Sequence, residues 1–163
     1  MSTLRGIVVY LATGTAPKSG TDDALYVGIS GSDGGREFPL DTAFFDDFER
    51  RSRVRYALGE VWEESALVGA KVPKLAKASW NDPTYFHVGL SGIDRVYLRK
   101  QCGRRSRSDD AYHLDEIEVA LYGPAGDKRM FRSASAIWLG LEYGAQVWLP
   151  EVPPGSFSVS RRV

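Results

Sequence analysis

The chain has 163 residues, in which 21 Lys+Arg balance 21 Asp+Glu to a formal net charge of +0. A neutral chain lacks the basic surplus that phosphate contacts demand, so nucleic acid is excluded as an expected partner. One cysteine, Cys102, excludes an internal disulfide and a cysteine-cluster metal site, while 43% hydrophobic residues suffice for the core of one domain.

Seventeen glycines and eight prolines punctuate short runs of Val, Ile, Tyr and Phe, which is the pattern of strands. The first run, 4–12, carries Ile7, Val8, Val9, Tyr10 and Leu11, and a Gly/Ser/Pro loop follows over 13–20. Residues 24–30 set Leu25, Val27 and Ile29 on one face at period two. Shorter candidates are 36–40 and 53–58. Over 60–79, Ala66, Leu67, Ala70, Leu75 and Ala76 fall at helical spacing interrupted by Gly69 and Pro73, which predicts a short broken helix in a long connection. Strands resume over 84–90 and 94–100, the latter with Val96 and Leu98 on one side and Arg95, Tyr97 and Arg99 on the other. Residues 113–122 read most clearly, with Leu114, Ile117, Val119 and Leu121 apolar. Candidates at 130–132, 137–141 and 146–149 finish the set, and Trp138 and Trp148 in these runs read as core.

Short strands, frequent turns and little helix predict an all-β fold, an antiparallel β-sandwich of about eight strands. It spans 1–150 with a short helical insertion at about 60–82, and 151–163 reads as a flexible tail with Pro153, Pro154 and Gly155. No apolar run approaches the roughly 18 residues of a spanning helix, and the N-terminus lacks a signal-peptide core. The expected location is cytoplasmic, at most peripheral to a membrane.

The order of local signatures resembles the PLAT/LH2 domain family, the β-sandwich module of lipoxygenases and several lipases. Three segments carry the likeness: Gly20-Thr21-Asp22-Asp23-Ala24 leading into 26–31, Leu40-Asp41 followed by Asp47-Phe48-Glu49-Arg50-Arg51, and Asp109-Asp110-Ala111-Tyr112 leading into 113–119. Trp138-Leu139 is similar to the closing tryptophan of that domain. The chain departs from the family pattern at Tyr112, where tryptophan is usual, at Arg51, where glycine is common, and in the 60–82 insertion.

The resemblance implies calcium at loops on one rim. Gly20 and Thr21 would ligate through backbone or hydroxyl oxygens, and Asp22, Asp41 and Asp110 through carboxylates. Without the resemblance, aspartates in turns are equally explained by bonds to their own backbone. Family members dock on membranes through aromatics beside such loops, and Phe44, Phe45, Phe48 and Tyr112 are the candidates here, with core packing of one or two as the alternative. Trp62 and Trp80 in the insertion either anchor a partner or pin the insertion to the sandwich. The basic run over 95–107, with Arg104 and Arg105, either meets anionic head groups or is a solvated loop that protects an edge.

Catalytic patterns are weaker. Gly28-Ile29-Ser30-Gly31-Ser32 and Gly89-Leu90-Ser91-Gly92-Ile93 both miss the nucleophile elbow, and no phosphate loop or His-Glu-x-x-His pair is present. His87 and His113 offer little for general-base work, and Cys102 in its basic loop lacks an evident base. The expected function is a non-catalytic binding module for membrane lipid or a partner protein, assisted by calcium, with no small-molecule substrate. The alternative is a calcium-independent adaptor that uses the 60–82 insertion and the basic loop.

Overall fold

A computed structural model describes residues 2–41, 47–61, 81–102 and 110–153. Among these, ten strands run in chain order: β1 (Gly6–Thr13), β2 (Leu25–Gly31), β3 (Gly34–Pro39), β4 (Arg53–Gly59), β5 (Ile93–Lys100), β6 (Tyr112–Tyr122), β7 (Lys128–Ser133), β8 (Ile137–Leu139), β9 (Gln146–Leu149) and β10 (Glu151–Val152). They form two antiparallel sheets, one ordered β10-β7-β6-β1-β4 with β8 also on β6, the other β3-β2-β5-β9. The expected sandwich is what the chain builds, with ten strands rather than about eight. The predicted helix over 60–79 lies almost wholly outside the described residues.

One core lies between the sheets. Ile7, Val9 and Leu11 of β1, Ile117, Val119 and Leu121 of β6, and Leu25, Val27 and Ile29 of β2 all belong to it, each 2% exposed or less. Burying each such side chain contributes about 1.5–3 kcal/mol, which is why the period-two pattern fixes the strand faces.

Strand β6 breaks that period. Ala12 pairs Glu116 but Thr13 pairs Leu114, so Asp115 is skipped and the strand bulges. The bulge shifts the inward set from odd to even residues. Leu114 and Tyr112 therefore point into the core, both 0% exposed, and His113 turns outward against Trp138 at 4.7 Å between ring centroids. Trp138 is half-buried in that contact.

Three expectations need correction. The predicted strand over 84–90 is instead two short 3-10 turns, Pro83–Phe86 and Leu90–Gly92. Asp82 caps the first by accepting from the Thr84 amide at 2.9 Å and its hydroxyl at 2.6 Å, and Pro83 at the first position sets its φ. Glu151 and Val152, expected to open the tail, instead pair with Phe131 and Met130 as a strand. Glu151 also forks with Arg129 at 2.8 Å. Trp148 is not core but 51% exposed, since Val147 and Leu149 take the inward positions of β9. Its ring meets Tyr97 edge-on at 5.0 Å and Arg95 at 5.4 Å on the outer face.

Candidate functional site

Antiparallel pairing gathers one set of strand ends at a common rim. Leu25 pairs Lys100, Tyr26 pairs Pro39, Ala12 pairs Arg53 and Thr13 pairs Leu114. The ends of β1, β3 and β5 and the starts of β2, β4 and β6 thus lie together, and the loops joining them carry the acidic residues. Two hydrogen bonds lace the loop after β1 to β6, from Gly14 N to His113 O and from His113 N to Ser19 O, both 2.9 Å.

Asp110 closes the centre of the rim. Its Oδ2 accepts from the Thr21 hydroxyl at 2.9 Å and from the Asp22 amide at 2.7 Å, while the same hydroxyl lies 2.9 Å from the Asp110 carbonyl. Thr21 Oγ1 in turn accepts from the Asp23 amide at 3.1 Å. A carboxylate that takes two donors from one loop makes charge-assisted bonds, stronger than neutral ones. Gly20 permits the close approach beside them, because a Cβ there would stand 2.9 Å from the Phe48 carbonyl oxygen.

A cleft of about 400 Å³ opens beside this knot, walled by Thr21, Asp22, Asp23, Asp41, Asp47 and Phe48 among others. Two of its carboxylates are already engaged. Asp47 Oδ1 accepts from the Tyr56 hydroxyl at 3.0 Å, and Asp23 Oδ2 lies 2.5 Å from Lys100 Nζ. Burial, then the Asp47 charge, pushes the Tyr56 hydroxyl far above the usual tyrosine range, so it stays protonated as the donor.

The turn over 47–52 is held in left-handed backbone at two non-glycine residues, Phe48 (φ 64) and Arg51 (φ 63). Arg51 N donates to Gly14 O at 3.1 Å, Ser52 N to Glu49 O at 3.0 Å, and Arg50 Nε to Thr15 O at 2.8 Å. These bonds impose the conformation where the resembled family has glycine. Because a left-handed residue with a Cβ is strained by about 1–2 kcal/mol and glycine loses part of that relief in the unfolded chain, Arg51→Gly should raise stability by about 0.5 kcal/mol. Urea denaturation checks this, and Arg51→Ala should show no such gain.

Of the residues picked from sequence, Thr21, Asp22 and Asp110 are hydrogen-bonded together, Gly20 lines the pocket they share, and Asp41 shares the cleft with Thr21 and Asp22. Two docking aromatics are corrected. Phe48 is 5% and Tyr112 0% exposed, and their rings pack edge-on at 6.3 Å inside the core. The bulge in β6 and the left-handed turn at Phe48 aim both side chains inward. Phe44, Phe45, Trp62, Trp80, Arg104 and Arg105 lie outside the described residues. Sequence reading missed Tyr56, its bond to Asp47, and the buried pairing of Lys100 with Asp23. Asp47 opens the segment Asp47-Phe48-Glu49-Arg50-Arg51, but nothing in it points to Tyr56, and a lysine closing an alternating strand carries no signal that it is buried.

Two antiparallel sheets with acidic residues in the loops of one rim make an antiparallel β-sandwich, consistent with the PLAT/LH2 resemblance. Solved structures agree on the fold. The alpha-toxin of Clostridium perfringens from an avian strain matches with a TM-score of 0.60 at 18% identity, over 91% of this chain and 32% of the toxin. The alpha-toxin of Clostridium absonum matches at 0.59 and 20% identity, over 91% and 32%. A coral 8R-lipoxygenase, described with calcium activation via a C2-like domain, matches at 0.56 and 20% identity, over 90% of this chain and 17% of the enzyme. The chain thus spans about a third of the toxins (32%) and about a sixth of the lipoxygenase (17%). No protein-family model and no curated protein sequence matches it.

Proposed function

We propose that the chain is a non-catalytic docking module whose acidic rim meets a membrane lipid surface with the help of calcium. The observation that carries this reading is the cleft that sets Asp22, Asp23, Asp41 and Asp47 beside Thr21, next to Asp110. Calcium takes six to eight oxygen ligands, and carboxylates with loop carbonyls are the donors it prefers. The residues fit the ion in kind, since Asp22 and Asp41 face the cleft and Asp110 has a second carboxylate oxygen. Among the described residues, however, no three His, Cys, Asp or Glu already converge as a metal cage.

Bound calcium would supply positive charge shared between these carboxylates and lipid phosphate. Asp22 and Asp41 would hold it, and the Asp110–Thr21–Asp22 knot would fix the loop that presents Asp22. Segment 42–46, which joins the two cleft residues Asp41 and Asp47, carries Phe44 and Phe45, side chains suited to burial at a lipid interface. The coral lipoxygenase, whose C2-like domain is tied to calcium activation, supports the reading. No helix among the described residues is long and apolar enough to cross a membrane.

Calcium titrated into chelator-stripped protein should give saturable heat. The melting temperature should climb with it, by roughly 1.4 kcal/mol of stability per tenfold calcium above the dissociation constant. The protein should then co-sediment with phosphatidylcholine–phosphatidylserine vesicles in calcium and not in chelator. Asp22→Asn with Asp41→Asn should abolish both signals. Vesicle binding that persists unchanged in chelator would remove calcium from the mechanism. Its absence in both conditions would move the partner from lipid to protein.

A further inference from the structure

Among the described residues, Lys100 is the most deeply buried basic side chain. It closes β5, and its side chain is 0% exposed. The strand alternates, so Val96 and Leu98 point into the core and Lys100, two residues on, points inward at the rim. An ammonium group loses its hydration there and is tolerated only against a fixed negative partner. That partner is Asp23, whose Oδ2 lies 2.5 Å from Nζ and whose side chain is 18% exposed. The backbone fixes both ends: Lys100 N donates to Ala145 O at 2.7 Å, and Gln101 N to Ala24 O at 2.9 Å.

Asp23 belongs to the wall of the acidic cleft and sits between Asp22, whose amide is tied to Asp110, and the start of β2. Three neighbouring carboxylates, on Asp22, Asp41 and Asp47, share that wall. Like charges so placed repel one another, and a positive charge among them relieves that repulsion. The buried ammonium does so from behind the cleft, on the protein side.

We infer that Lys100 is the rim's resident cation. It holds the 20–24 loop closed with no ion bound, and by neutralising Asp23 and adding positive charge it lowers the rim's affinity for calcium. The second half rests on the calcium reading given above; the first does not. Removing the ammonium then has two opposite consequences. The empty rim loosens, because Asp23 loses its partner. The calcium-loaded rim tightens, because Asp23 becomes available as a ligand and the repulsion is gone.

The test compares the wild-type chain with Lys100→Met in amide hydrogen exchange across Thr21 to Ala24, in chelator and in calcium, together with calcium titration. The expected result is exchange at least tenfold faster for the variant in chelator, restored by calcium, with a calcium dissociation constant at least tenfold lower than the wild type's. If the wild type binds calcium and the variant binds it no more tightly, the effect on affinity is overturned while the calcium reading stands. If neither binds calcium, that reading fails. The exchange comparison in chelator then decides the clamp alone: faster exchange upholds it and unchanged exchange overturns it. Should Lys100→Met not fold, the double variant Lys100→Met/Asp23→Asn, which removes both charges, replaces it. It should fold, exchange faster than wild type in chelator, and gain no calcium affinity; wild-type exchange rates in it would overturn the clamp.

Discussion

Replacing Tyr112 with alanine should cost about 3–5 kcal/mol, the range for deleting a large aromatic from a packed core. A domain of this size has a total stability of about 5–15 kcal/mol, so the variant should be partly unfolded well below the wild-type melting temperature. The ring is 0% exposed and packs edge-on against Phe48 at 6.3 Å and 72°. Its hydroxyl shares a 2.9 Å hydrogen bond with Thr13 Oγ1, which also accepts from the Ser52 hydroxyl at 3.1 Å. Burial pushes that hydroxyl above the usual tyrosine range, with the Thr13 bond opposing, so it remains protonated at any pH where the protein is folded and tested near neutrality. Tyr112→Phe keeps the ring and should lose only about 1 kcal/mol, the net worth of one hydrogen bond. Urea denaturation of both variants checks the pair. A Tyr112→Ala protein as stable as wild type but unable to bind vesicles would show instead a side chain that faces lipid.

Tyr112 also shows where the sequence was readable and where it was not. Period-two runs place β1, β2 and β6 within a residue or two of their observed bounds, because burial of one face dictates alternation whatever the neighbouring strand does. The Leu114 to Ile117 spacing of three was the visible trace of the bulge at Asp115. Read as plain alternation, it leaves Tyr112 outside the core. The 84–90 run failed for a local reason: Asp82 and Pro83 form a helical cap, and that chemistry outweighs alternating Tyr85 and His87. Trp148 failed because a large aromatic was taken for a core residue, although its neighbours Val147 and Leu149 already occupied the inward face.

The rim was legible as residue types and not as pairings. Asp22, Asp41 and Asp110 stand out in loops, but what each bonds depends on contacts across the sandwich. Asp110 spends one oxygen on the Thr21–Asp22 loop, and Asp47 and Asp23 answer to Tyr56 and Lys100, whose directions follow from strands β4 and β5. An acidic loop motif therefore specifies less free negative charge than its composition suggests. Part of that charge closes the loops, and the remainder, on Asp22 and Asp41 above all, is what the proposed calcium would engage.

Arg132→Ala should destabilise the sandwich by about 3 kcal/mol without changing what the rim binds. Arg132 stands opposite Glu118 in the β6–β7 register. It donates to Glu116 Oε1 from Nη2 at 2.8 Å and from Nε at 3.2 Å, and its Nε lies 3.2 Å from Glu118 Oε1. The two carboxylates are only 8% and 1% exposed, so deleting the guanidinium strips a cation from charges that water barely reaches. Glu118→Gln added to Arg132→Ala should recover part of the loss, because one buried charge then goes with the cation. Arg132→Lys should fall between, keeping the charge but not the fork. The pair Glu118–Arg132 lies six residues along β6 from Tyr112, roughly 20 Å from the rim at ~3.3 Å per residue. At that separation stability losses add, so Arg132→Ala combined with Asp22→Asn should melt at the sum of the two shifts. Calcium titration of Arg132→Ala below its melting temperature should match wild type. A changed calcium affinity in that variant would mean the rim is not an independent unit but is set by the packing of the whole six-stranded sheet.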